Sequence, residues 1–176
     1  MNDPVALRPV REEDLALLER LTNDPEGSGP HEWHGWHDPH VWGHRWSENG
    51  LLGPAAGTLI VTRGGEPAGF VSWRQAMPGP GGHCWELGIA IAAGARGRGI
   101  GTQAQQLIAR YLFAHTQVNR IQAATEITNV AEQRALEKAG FTREGVLRGA
   151  GFRGGRWRDG VLYSVLRDEV DLTGGP

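Results

Sequence analysis

Gly94-Ala95-Arg96-Gly97-Arg98-Gly99-Ile100-Gly101-Thr102 is the stretch that decides the fold, because it joins a strand-like run to a helix-like run through glycines and two arginines. Before it, His83 to Ala92 alternates, with Leu87, Ile89 and Ile91 on one face, the period of a strand. After it, Ile100, Ala104, Leu107, Ile108, Tyr111 and Leu112 recur as a single stripe at helical spacing. The N-terminus of a helix leaves backbone N–H groups without partners and carries partial positive charge. Glycines ahead of it let an anion approach the backbone, and Arg96 and Arg98 add full charges beside the same turn. That combination is the chemistry of a diphosphate cradle. A P-loop would need Gly-Lys followed by Ser or Thr, which is lacking. A dinucleotide-binding turn would place a glycine where Thr102 stands.

Working outward, Val5 to Pro9 reads as a short edge strand and Arg11 to Leu21 as an amphipathic helix carrying Leu15, Leu17, Leu18 and Leu21. Residues 23–39 are expected to be loop, and a second helix is expected from Pro39 to about Trp46. Gly57 to Arg63 and Ala68 to Gln75 read as strands around the turn Gly64-Gly65-Glu66-Pro67. Arg120 to Thr125 is a further strand, and Val130 to Ala139 is a helix ended by Gly140. Phe141 to Leu147 and Tyr163 to Leu166 close the chain as strands joined through a turn at Gly154-Gly155. The reading is an α/β chain: a mixed twisted sheet of about seven strands with about four helices. It forms one domain over residues 1–170, with a loose tail over 171–176.

Bulk properties narrow the function classes. The length of 176 residues suits one domain, and 39% hydrophobic content is enough for a core. No stretch approaches the roughly 18–20 continuous apolar residues of a membrane span, and Met1-Asn2-Asp3-Pro4 opens no leader, so a soluble cytoplasmic protein is expected. A net charge of −2, with no basic stripe beyond the glycine turn, argues against nucleic acid and membrane as partners. The single cysteine, Cys84, allows no intramolecular disulfide and no cysteine zinc site, and reads as a small packing residue.

The spacing Arg96-x-x-Gly99-x-Gly101, the run Asn129-Val130-Ala131-Glu132-Gln133-Arg134-Ala135-Leu136-Glu137-Lys138-Ala139-Gly140-Phe141, and Trp157-Arg158-Asp159 through Tyr163-Ser164 carry a resemblance. Over roughly residues 4–168 the chain resembles GNAT-superfamily N-acetyltransferases, in particular the ribosomal-protein N-terminal acetyltransferase (RimJ/RimL-like) branch. The resemblance implies the GNAT fold and acetyl-CoA as co-substrate, with a homodimer as a candidate assembly. It implies cofactor contacts from Leu87, Ile89, Ile91, Arg96, Gly97, Arg98, Gly99, Ile100, Gly101, Thr102, Asn129 and Gln133, with Asn129 at the pantetheine arm. It also implies direct attack of an amine on the thioester in a ternary complex, with a strand N–H such as that of Ile89 at the oxyanion.

An amine must lose a proton to attack, and an α-amino group with pKa near 8 needs less help than a lysine near 10.4. Glu86, expected at the head of the central strand, is the first candidate base and Glu126 the second. Glu132 stands where the branch often carries a serine proposed to protonate the leaving thiolate, and Leu136 stands where other branches carry a tyrosine acid. Tyr163 is read as a packed strand tyrosine. Two alternatives stay open on the same fold: a coenzyme A-binding accessory module without catalysis, and a transferase of a different acyl group.

One segment is unusual in composition. His31, His34, His37, His40 and His44 alternate with Trp33, Trp36, Trp42 and Trp46. Pro39 interrupts the run, no cysteine assists, and Glu32 and Asp38 lack motif spacing, so no metal is expected. The resemblance places this region over the acceptor cleft, with Trp33, Trp36 and His37 as a substrate wall that Trp73, Trp85 and Trp157 could join. Such a wall suits a flat or apolar amine, from a small molecule or a peptide or protein N-terminus, better than a polycation.

Overall fold

Alternation in the strands and 3.6-residue periodicity in the helices produce a seven-stranded mixed sheet with helices on both faces. The computed structural model describes residues 3–173. In chain order the elements are β1 (Val5–Pro9), α1 (Leu15–Asn23), α2 (Pro25–Ser28), α3 (Val41–Asn49), β2 (Ala56–Arg63), β3 (Glu66–Gly79), β4 (Gly82–Ile91), α4 (Ile100–His115), β5 (Arg120–Glu126), α5 (Val130–Lys138), β6 (Thr142–Arg153) and β7 (Arg156–Leu166). The strands lie in the order β1-β2-β3-β4-β5-β7-β6. Of the tail expected over 171–176, residues 174–176 lie outside the described residues.

Several boundaries depart from the sequence reading for local reasons. The first turn of the expected helix at Arg11 is a 3-10 turn, because the Asp14 carboxylate accepts the Arg11 backbone N–H at 2.8 Å and so holds the entry. The expected loop 23–39 contains α2, started by Pro25 at its first position and by the Asp24 side chain, which accepts the Glu26 N–H at 3.1 Å. β6 and β7 run longer than expected because the Gly154-Gly155 turn lets them pair to its edge, with Arg153 opposite Arg156.

The main core lies between the sheet and α4. Ile100, Ala104, Ile108 and Leu112 are buried there against Trp85, Ile121, Val161 and Tyr163. Ala109 and Phe113 extend this stripe, whereas Tyr111 sits at its exposed margin. Burial of each large aliphatic or aromatic side chain contributes roughly 1.5–3 kcal/mol. Trp73 belongs to the same core, and its ring occupies the space over Gly57, where an added Cβ would stand 2.1 Å from the indole. On the opposite face, Val10, Leu18, Leu21, Leu51, Ile60 and Phe70 form a smaller core under α1 and α3, with Trp42 set edge-on to Phe70.

One discontinuity organises the molecule. β4 and β5 run parallel and pair only at Trp85–Ile121, Glu86–Gln122 and Leu87–Ala123. Beyond Leu87, β4 stays with β3 through Ile91, while β5 stays with β7 through Glu126. The strands therefore part, and their facing edges present backbone donors and acceptors to a cleft.

Candidate active site

The parted strand β4 ends at Ile91 and the chain turns through 94–99 into α4. Gly99 caps that helix in the left-handed conformation, φ 75°, which glycine adopts without strain. No side chain caps the helix, so its first N–H groups remain directed at the mouth of the turn. Arg98 is exposed there. Arg96 is placed differently from the expectation of a charge beside the diphosphate. Its Nε donates to the Ile91 carbonyl at 2.7 Å, and its Nη2 donates to the carbonyls of Gly27 and Ser28 at 3.3 Å each. The guanidinium thus fastens the glycine turn to the end of α2, because helix-terminal carbonyls lack intrahelical donors.

Side chains of alternating residues share a face of the sheet, so Glu86 points away from Trp85 and α4. It lies mid-strand in β4 and not at the strand's head. Its neighbours in register are Arg74 on β3 and Gln122 on β5. Arg74 forms an ion pair with one carboxylate oxygen, and Gln122 Nε2 donates to the other at 3.0 Å. Glu86 borders a cavity of about 580 Å³ under α3, lined also by Trp42, Arg45, Ser72, Arg74 and Gly88. Gly88 is the first β4 residue past the parting, so this cavity opens onto the cleft.

Across the cleft, on the same face, Glu126 ends β5. Arg153 grips it with Nε and Nη2 at 2.6–2.8 Å, and Thr128 donates a further bond. Burial opposes the charge on Glu126, yet the bonds from Thr128 and Arg153 prevail and hold its carboxyl below the ordinary range. The pair borders a cavity of about 220 Å³ that includes His31, Glu32, Ala124, Thr125 and Arg158.

On α5, the Asn129 side chain accepts the Glu132 N–H at 3.3 Å and donates to Thr125 Oγ1 at 3.1 Å, which pins the helix start to the end of β5. Gln133 Nε2 donates to the Ile127 carbonyl at 2.8 Å. Glu132 receives a bond from buried Gln105, but burial dominates and, with the charge of Glu32 adding to it, pushes Glu132 up to about 7. Sequence reading missed Gln105, a polar residue within the apolar stripe of α4, whose Oε1 is buried without a partner. Cys84 is fully buried and its thiol is pushed up by burial, as suits packing. Tyr163 is also fully buried, its hydroxyl bonded to Glu137 at 2.9 Å.

The Trp/His segment divides into two groups. Trp42 and Trp46 pack inward, their indoles donating to Thr22 Oγ1 at 2.9 Å and to the Val10 carbonyl at 3.1 Å. Trp33 and Trp36 form an edge-on pair, and Trp36 is 73% exposed. Trp33 faces a cavity of about 560 Å³ shared with Phe152 and Arg153 of the terminal hairpin, where 70%-exposed Trp157 stacks edge-on against Phe152. His37 is exposed, and its backbone is held by the Asn23 amide. Trp85 corrects the expectation of a wall residue. It is buried at 4% exposure in the α4 core, its Nε1 donating to Thr116 Oγ1 at 3.0 Å, so no acceptor can reach it. Its parity with Leu87, Ile89 and Ile91 was the available signal. No group of three or more metal-ligating side chains occurs among the described residues.

The family profile of the acetyltransferase (GNAT) domain matches residues 5–142. The chain belongs to the GNAT family. Among GNAT relatives, the probable N-acetyltransferase YjcK of Bacillus subtilis is 32% identical over 83 residues, 47% of this chain and 46% of that protein. The chain thus spans about half the length of the first curated relatives it matches. Aminoglycoside N(6')-acetyltransferase type 1 of Klebsiella pneumoniae is 29% identical over 160 residues, covering 83% and 78% of the two chains. Mycobacterium smegmatis RimJ, solved with CoA-disulfide, superposes with a TM-score of 0.73 at 25% identity, over 94% of this chain and 83% of that one. The similarity thus extends to an aminoglycoside acetyltransferase as well as to RimJ, and reaches the family without selecting the RimJ/RimL-like branch.

Proposed function

We propose that this GNAT protein transfers an acetyl group from acetyl-CoA directly to a primary amine at the parting of β4 and β5. The parting carries the reading: it leaves free strand edges immediately before a glycine turn that exposes the N-terminus of α4. The diphosphate is assigned to the N–H groups of Gly97 to Thr102 with Arg98 nearby, and the pantetheine to the backbone of Leu87, Ile89 and Ile91 with Asn129 and Gln133 across the cleft. Solved relatives that hold CoA support this assignment.

The acceptor nitrogen attacks the thioester carbonyl carbon, forming a C–N bond while the carbonyl electrons move to oxygen. A strand N–H, assigned to Ile89, receives that oxyanion. Collapse breaks the C–S bond, and coenzyme A leaves as thiolate. The amine proton passes to Glu86, directly or through water, since this carboxylate borders the open cavity beside Gly88. Glu132, held near neutral pH with a proton still available, is the group assigned to the departing thiolate. The acceptor amine belongs to a small molecule or a chain N-terminus, approached past half-buried Trp33, exposed Trp36 and the hairpin residue Trp157.

The test is coenzyme A release from acetyl-CoA with and without an amine panel, for wild type and Gly99→Asp. That substitution forces a side chain into the left-handed region and sets a negative charge at the helix N-terminus. Amine-dependent thiol release and calorimetric acetyl-CoA binding are both expected to fall at least about 100-fold in the variant. Binding without turnover on any amine would convert the reading to an accessory module. Absence of both in wild type would overturn it.

A further inference from the structure

We infer that Arg158 is an anion-binding residue of the acceptor site, so that the amine substrate also carries a carboxylate. This deepens the transferase reading above and rests on it. Arg158 lies on β7, beside the end of β5, and lines the 220 Å³ cavity together with Ala124 and Thr125. Those two residues belong to the stretch of β5 that has parted from β4, so the cavity adjoins the place assigned to the reacting carbonyl.

Arg158 is half-buried, and its Nε is fully buried without a hydrogen-bond partner. A buried donor left unsatisfied costs about 1–3 kcal/mol, which a turn of the side chain toward a ligand acceptor in the cavity would recover. Two of the carboxylates around it are otherwise engaged. Glu126 feels the charge of Arg158 but is bonded by Arg153 and Thr128. Asp159 points its Oδ1 at the Gly149 N–H at 2.8 Å. Glu32 lines the same cavity, and burial pushes its carboxyl up, toward the neutral form. The same cavity therefore holds two guanidinium groups of different standing: Arg153 is neutralised by Glu126, while Arg158 is bonded to nothing among the described residues. A guanidinium fork matches a carboxylate with two parallel N–H···O bonds, a geometry that a polyamine cannot use. The occupant that complements this wall is an amino acid or an ω-amino carboxylate, its nitrogen toward the cleft and its carboxylate toward β7.

The experiment compares matched acceptors, carboxylated and not: glycine, β-alanine, 4-aminobutyrate, 6-aminohexanoate and phenylalanine against the corresponding alkylamines and phenethylamine. Wild type is expected to favour the best carboxylated member by at least about tenfold in kcat/KM, through KM, as one charge-assisted pair provides. Arg158→Gln should erase that preference while leaving KM for the neutral amines in place, and Arg158→Lys should restore part of it. Circular dichroism and neutral-amine turnover check that the variant folds. Equal turnover of paired acceptors, polyamines as best substrates, or an equal loss on both classes in Arg158→Gln would overturn the inference while the transferase reading stood. Calorimetry of the same carboxylates on CoA-saturated protein reads the site without turnover. Binding that Arg158→Gln abolishes supports the site even if no transfer occurs, and no carboxylate binding by wild type sinks it.

Discussion

The two flanks of the cleft each present a glutamate to the same face of the sheet, yet they build opposite environments. On the β4 flank, Glu86 is paired with an arginine whose side chain is 73% exposed, and its second oxygen meets only the neutral amide of Gln122. On the β5 flank, Glu126 and Arg153 are 11% and 20% exposed and joined by three short contacts. An exposed ion pair is weak and screened, so Glu86 can release its partner and accept a proton. A part-buried bidentate pair holds its charge and its shape. Residue type is therefore a poor guide to role here. The distinction between the proposed base and the brace lies in the exposure of the partner.

Substitution of each carboxylate tests that contrast. Glu86→Gln is expected to lower kcat by about 10²–10³-fold at neutral pH while acetyl-CoA affinity measured by calorimetry holds, the usual loss for a general base. An unchanged kcat would remove the contrast altogether. Glu126→Gln should instead destabilise the fold by about 1–3 kcal/mol in urea titration, because Arg153 loses its counter-charge. The sign follows from the lowered carboxyl: the pair stabilises above the ordinary carboxylate range and is lost as pH falls through the depressed value, so the deficit should shrink in acid. A changed pH–rate profile with unchanged stability would reverse the two assignments. The smallest effect on stability is expected at Glu132, a third carboxylate that has neither kind of arginine partner. The folded protein holds this proton up to about 7, above the value of 4.5 in an unfolded chain, so stability falls as pH rises between those values. Glu132→Gln should therefore be more stable than wild type by about 1–2 kcal/mol at pH 8 and indistinguishable below the carboxylate range. Parallel urea curves at the two pH values would decide it.

What the sequence revealed was local, and what it concealed was cross-strand. The glycine turn, the α4 stripe and the α5 cap at Asn129 each lie within about a dozen residues, where periodicity and capping chemistry speak directly. The expected order of strands and long helices matches the structure for that reason. Glu86, Glu126 and Glu132 were identified as candidates, but their different standing depends on Arg74, Arg153 and Gln105, residues 12 to 27 positions away and brought alongside by register or helix packing. No spacing rule in one sequence reports such pairings. Trp85 is the instructive error, since composition grouped it with exposed tryptophans although strand parity already set it on the α4 side. Arg158 passed as part of a family signature, because an unfilled guanidinium is visible only once its neighbours have found their own partners.

The strap from Arg96 has a consequence for how this protein can change over generations. Its anchors at the end of α2 are the carbonyl oxygens of Gly27 and Ser28, and a carbonyl is supplied by every amino acid. Residues 30–37 can therefore drift to new side chains without unfastening α2 from the glycine turn. Gly27 and Gly29 are exceptions, because a Cβ at Gly27 would meet the Arg20 carbonyl oxygen at 2.2 Å and one at Gly29 the Arg96 guanidinium at 2.7 Å. That loop is free to diverge among descendants while the glycine turn is inherited intact.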